Sequence, residues 1–203
     1  MFRTFTLFFL LFCSGAIGQT KSWDPKVLKK ANTAENESYL TKQEKEVIFY
    51  LNLVRLNPKL FLETYLKKYL EQTGEKDTYT KSLQKTLAST KPMNVLLPKQ
   101  DLYAVAKLHA IKFGKAGTIG HGDFQERTKE IDTNYGGYMG ENCDYGNDDA
   151  LDIVMSLLID QDVAGVGHRE NILDPQYKFV GTSIQPHKKY EWNCVMDFGG
   201  TAN

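Results

Sequence analysis

Apolar positions recur every three to four residues along most of the chain and every second residue only near its end. The stretch TKQEKEVIFYLNLVRLNP (41–58) opens with Thr41 and Glu44 in capping-box spacing and carries Val47, Ile48, Leu51 and Val54 at helical intervals. Pro58 stops it and, with Asn57 as cap, suits the first turn of a second helix that holds Phe61, Tyr65 and Tyr69 on one side and closes at Gly74. Residues 75–94 read as an exposed connection with one short helix. A strong helix is predicted from Pro98 to Ala116, with Leu102, Val105, Ala106 and His109 in one stripe and Gly117 as its stop. FQERTKEI is a polar helix-like segment and GENCDYG is strand-like. Asn147, Asp148 and Asp149 can cap a helix whose Ile153, Val154, Leu157 and Leu158 suit burial.

Near the C-terminus the period falls to two. KFVGTSIQP and KYEWNCVMDF alternate and are rich in β-branched and aromatic residues, with PHKK between them, which predicts an antiparallel hairpin. Helices in the first two thirds and strands in the last predict an α+β layered domain over 41–203 rather than a doubly wound parallel sheet. Residues 19–40 are polar with little apolar rhythm and read as an N-terminal lead.

The first 18 residues follow a different order. Arg3 is followed by an apolar run from Leu7 to Cys13 and then by small residues ending at Ala16 and Gly18, the pattern of a secretory signal peptide cleaved near Gly18. The run is far shorter than the ~20 residues that cross a bilayer, so no stable membrane insertion is expected. Cys13 follows the bulky Phe12, where a lipid-modification site requires a small residue. The expected location is secreted, extracellular or periplasmic. A length of 203 residues that are 41% hydrophobic supports one core, and 25 basic against 25 acidic residues give no electrostatic case for a nucleic acid partner. Export leaves Cys143 and Cys194 where disulfides persist, which predicts one bridge between them, the alternative being two buried thiols.

Of the four histidines, His109 lies on the apolar side of a helix and reads as a packed core residue with one hydrogen bond. His187 reads as a solvated residue of the hairpin turn. His121 and His168 each follow a glycine in a glycine-flanked loop, where a side chain can face a cleft. Two imidazoles with nearby carboxylates form a ligand set for zinc or another divalent cation, or serve acid–base chemistry. HEXXH, GXSXG, Walker and GXGXXG patterns are absent. No nucleophile stands out either: Ser156 lies within a predicted helix and Thr118 has no assigned base. This favours binding over catalysis.

Three segments in order, GHGDF (120–124), GENC (140–143) and GHRENIL (167–173), resemble the signature segments of the CAP superfamily, which comprises cysteine-rich secretory proteins, venom antigens and plant pathogenesis-related proteins, and its bacterial exported branch especially. The resemblance implies a single-domain α-β-α sandwich with a small antiparallel sheet between helical layers. It also implies a cleft with a tetrad of two histidines and two acids, falling here on His121, Glu141 and His168. The family's fourth member, a glutamate, has no clean match; Asp160 is the first candidate and Asp162 the second. His121 and His168 are the implied metal ligands. Arg169 and Glu170 read as residues that secure the loop presenting His168. The implied function is a secreted binding module for a lipid, a cell-envelope component or a protein. The alternatives are a metal-dependent hydrolase or peptidase using the same cleft, and a structural interaction protein.

Overall fold

In the computed structural model, which describes residues 22–201, the first helix among the described residues is α1 (Pro25–Ala31), capped by Asp24. Residues 1–18, on which the predicted signal peptide falls, lie outside the described residues. The described part of the polar lead, residues 22–40, packs onto the body. Ala31, Ala34 and Leu40 join the main core, and the buried Asn52 amide donates to the Ala31 carbonyl at 2.9 Å and to Leu96 O at 3.1 Å. The apolar anchors are few and the rest of the hold is the polar Asn52 side chain, so apolar rhythm does not reveal the segment.

Helix α2 (Lys42–Leu56) starts at the capping box, with Thr41 Oγ1 accepting from the Glu44 amide and Glu44 accepting from the Thr41 amide. Asn57 caps the next helical run, in which α3 (Pro58–Phe61) passes through a π-helical turn (Leu62–Leu66) into α4 (Lys67–Thr73), ended by left-handed Gly74. The segment read as an exposed connection with one short helix forms the 12-residue helix α5 (Thr78–Ser89), capped by Asp77, and is not merely exposed, since Leu83 and Leu87 are fully buried. Its Thr- and Ser-rich sequence, with two buried leucines, gives a weak periodic signal. After the two-residue strand β1 (Leu97–Pro98) comes α6 (Gln100–Ala116), then α7 (Phe124–Thr128), β2 (Met139–Tyr145), α8 (Ala150–Ile159), α9 (Gly167–Ile172) and the hairpin β3 (Tyr177–His187) and β4 (Glu191–Gly200).

The strands lie in the order β1-β3-β4-β2. The β2, β3 and β4 pairings are antiparallel, as expected, while β1 adds a short parallel edge to β3, so the sheet is mixed. Helices cover both faces. Val195 and Cys143 pack with Ala106 and Ala110 of α6, whereas Cys194, Met196 and Phe198 enter the large core built with α2 and α8. Helix α6 lies close against the sheet: a Cβ on Gly181 would stand 2.0 Å from the Tyr103 nitrogen.

This two-faced sheet corrects the predicted disulfide. Cys143 pairs across the ladder with Val195, and Cys194 with Asp144. Directly paired residues share a face and successive residues alternate, so the two thiols point to opposite sides. Both cysteines are free and buried.

Candidate functional site

The loop after α6 presents His121. Gly120 and Gly122 both have positive φ, and at Gly122 a Cβ would also meet the Phe113 ring at 2.7 Å, so both backbone angle and space call for glycine. The loop is fixed on both sides of Gly120: its amide donates to the Tyr145 hydroxyl at 2.9 Å, and its carbonyl lies 3.0 Å from His109 Nε2. His121, half exposed, sets Nδ1 2.8 Å from Oε1 of the buried Glu141. That hydrogen bond is the main cause of an imidazole pKa above its ordinary value, with burial opposing it. The other Glu141 oxygen, Oε2, accepts from Arg127.

His168 is held the same way from another part of the chain. Asp160 ends α8 in the left-handed conformation, with φ 58, and is buried. Its Oδ1 lies 2.7 Å from His168 Nδ1, while Oδ2 accepts the backbone amides of His168 at 2.9 Å and Arg169 at 3.3 Å. One short carboxylate therefore orients the imidazole and satisfies amides at the start of α9. Asp162 is exposed. Arg169 points away from His168 into the interior, donating to the Leu158 and Ile159 carbonyls at the end of α8 and to Ser82 Oγ of α5. Glu170 is exposed, so of the two expected loop anchors only Arg169 acts as one.

Two asparagines join the halves. Asn171 Nδ2 donates to Asn142 Oδ1 at 2.8 Å, and Asn142 Nδ2 donates to the His168 carbonyl at 2.9 Å. These are the asparagines of GENC and GHRENIL, and they tie the strand bearing Glu141 to the helix bearing His168. The two imidazole centroids come to 6.2 Å. With each Nδ1 engaged by a carboxylate, each neutral ring keeps its proton on Nδ1 and leaves Nε2 as a lone pair for a ligand. A cavity of about 390 Å³ adjoins His168 and Asp160, with Tyr69, Tyr145, Leu157 and Val163 among its walls.

The sequence of residues 49–198 matches the profile of the CAP family, described as the Cysteine-rich secretory protein family. The chain belongs to the CAP family. Among solved structures it is similar to an outer surface protein from Borrelia burgdorferi, at 22% identity and a TM-score of 0.46, over 68% of this chain and 95% of that one. It is also similar to an extracellular protein containing a SCP domain from Bacillus anthracis str. Ames, at 19% identity and a TM-score of 0.44, over 54% of this chain and 35% of that one. No curated protein matches the chain.

Around the tetrad, this CAP domain buries groups that sequence reasoning did not single out. Arg127 lies in the segment read only as polar and helical, yet its guanidinium faces Glu141 and packs 4.9 Å from the Phe124 ring. Asp197 is fully buried on β4, directly across the ladder from Glu141, and its carboxyl has no hydrogen-bond partner other than the Glu141 side chain. Burial first, and then the charge of Glu141, push its pKa well up. Asp144 is buried on the opposite face and its pKa is raised, chiefly by desolvation, against hydrogen bonds from Ser156 and Asn147. Only the alternation of β4 hints at Asp197, and nothing local announces that it faces Glu141.

The remaining histidines divide. His109 is buried as read, with Nε2 on the Gly120 carbonyl and its pKa lowered mainly by burial. His187 is not solvated: it is 3% exposed, Nε2 meets the Thr118 carbonyl at 2.9 Å, and Nδ1 accepts the Lys189 and Tyr190 amides. A histidine whose ring atoms satisfy the backbone of its own turn is drawn inward, which the two neighbouring lysines conceal in the sequence.

Proposed function

We propose that this chain is an exported CAP-fold binding module whose cleft, built from His121, Glu141, His168 and Asp160, takes a lipid, a cell-envelope component or a protein segment. The observation that carries this reading is the cavity of about 390 Å³ lined by His168 and Asp160, with the second carboxylate-held imidazole, His121, 6.2 Å from the first between ring centroids. That volume is in the range of small-molecule sites, and walls that mix Tyr69, Tyr145, Leu157 and Val163 with polar groups such as Asp144, Asp160 and His168 suit capture of a ligand with both apolar and polar parts. Among the described residues no helix is long and apolar enough to cross a membrane.

The same donors suit a divalent cation. Two neutral imidazoles with Nδ1–H held by carboxylates offer Nε2 in the form metals require, so His121 and His168 would hold it and Glu141 and Asp160 would orient them. Such an ion would supply a Lewis-acidic point for an anionic or carbonyl group of the ligand. Binding is favoured over hydrolysis because the cavity's one serine, Ser156, is hydrogen-bonded to Asp144 rather than to an imidazole.

Calorimetric titration with zinc tests the cleft. Wild type is expected to bind, and the His121→Ala plus His168→Ala variant to lose about one equivalent. An unchanged stoichiometry in a folded double variant removes the cleft from the reading. Hydrolysis of peptide or ester libraries that both substitutions abolish would instead establish the enzymatic alternative.

A further inference from the structure

Behind the tetrad, on the face of the sheet covered by α6, a second set of donors converges. A ring nitrogen of His109, Sγ of Cys143 and a carboxylate oxygen of Glu141 lie within 4.8 Å of one another, and all three residues are buried. His109 comes from α6, whereas Glu141 and Cys143 are alternate residues of β2 and therefore share a face. Neither His168 nor Asp160 belongs to this group.

Several of these buried groups are poorly satisfied by the protein itself. His109 uses Nε2 on the Gly120 carbonyl and leaves Nδ1 buried without a partner. Cys143 Sγ makes long contacts, 3.9 Å to His121 Nδ1 and 4.0 Å to the Gly120 carbonyl, and is hydrogen-bonded by the side chains of Tyr145 and Glu141. Asp197, opposite Glu141 in register, has both oxygens buried and no partner other than the Glu141 side chain. An unmet buried donor or acceptor costs about 1–3 kcal/mol, and several at one place need a common explanation.

We propose that His109, Cys143 and Glu141 form a binding site for a borderline-soft divalent cation such as zinc, separate from the His121 and His168 pair. Imidazole, thiolate and carboxylate together suit zinc or cobalt and not magnesium or calcium. Donor atoms in a tetrahedral zinc site stand about 3.5 Å apart, so the three side chains have roughly 1 Å to close. Binding forms a metal–sulfur bond and releases the thiol proton to solvent. Arg127 already faces Glu141 and competes for it, while Asp197 is the adjoining carboxyl that can offset the added positive charge. This second site shares Glu141 with the cleft, where Oε1 is held by His121, but takes no atom of His168 or Asp160.

Cobalt titration of the purified, reduced protein separates the two sites, because only a sulfur ligand produces thiolate-to-cobalt charge transfer in the near ultraviolet. Wild type should develop that band. Cys143→Ser should lose it, His109→Gln should weaken cobalt binding by roughly tenfold or more, and His168→Ala and Cys194→Ser should keep it. No band in the folded wild type at saturating cobalt overturns the site, as does a band that persists in Cys143→Ser. Should a variant fail to show native circular dichroism, X-ray absorption of cobalt-loaded wild type decides. A sulfur scatterer bound to the metal supports the site, and nitrogen and oxygen neighbours alone overturn it.

Discussion

Asp160 reaches His168 with a short side chain because its own backbone turns left-handed at the end of α8 and brings its Cβ toward α9. Its two oxygens serve one ring and two amides, so Asp160→Ala leaves those groups unmet. Urea unfolding should show a loss of about 2 kcal/mol, with Asp160→Asn recovering part of it. Asp144 supplies a pH test. Its folded pKa lies above the unfolded value of about 3.9, so the fold favours its protonated form. That contribution is complete below about pH 4 and is lost as pH rises through the folded pKa. Asp144→Asn should therefore melt at a higher temperature than wild type at about pH 7, and the difference should shrink as the pH falls below about 4. A constant difference across that range would mean that the carboxyl is not the cause. Residues of this kind are legible only in part: the glycine-flanked His121 and His168 stand out, whereas Arg127 and Asp197 act through neighbours that the chain brings from other elements.

Strand β2 and helix α9 are joined by the Asn142–Asn171 pair, and α8 to α9 and α5 by Arg169. Asn142→Ala and Asn171→Ala should each cost about 1–2 kcal/mol, and the double variant should cost less than their sum by at least ~0.5 kcal/mol. Additive losses would show that the two amides do not work as a unit. Arg169→Leu removes the donors from two α8 carbonyls and should cost about 3 kcal/mol by denaturant unfolding, while Glu170→Ala, on the exposed side of the same helix, should cost less than ~0.5 kcal/mol. Helix α2 with its capping box, α6 with its apolar stripe and Gly117 stop, and the alternating hairpin are readable from the sequence. α1 and α5 are not, because polar anchors and few leucines hold them: Asn52 takes the Ala31 carbonyl, and Asp77 caps a run of threonines and lysines.

Across the molecule, the sheet divides the interior and decides the fate of each buried side chain. Alternation sends Cys143 toward α6 and Cys194 toward α2 and α8, so the export argument for a bridge fails on direction rather than on compartment. The same sheet carries Glu141 on the face where the His121 loop arrives, and the ordered motifs make that meeting readable in the sequence. The cation cluster behind the cleft is not readable there, since His109 looks like any core histidine until Glu141 and Cys143 are set beside it. The functional reading turns on His121 and His168 forming one ligand-facing pair through Nε2. Nuclear magnetic resonance of isotope-labelled histidine side chains, assigned with single substitutions and followed through a zinc titration, addresses it directly. Both neutral rings should carry the proton on Nδ1, and their Nε2 resonances should shift together as zinc is added. Rings protonated on Nε2, or a zinc response confined to one of the two, would contradict it.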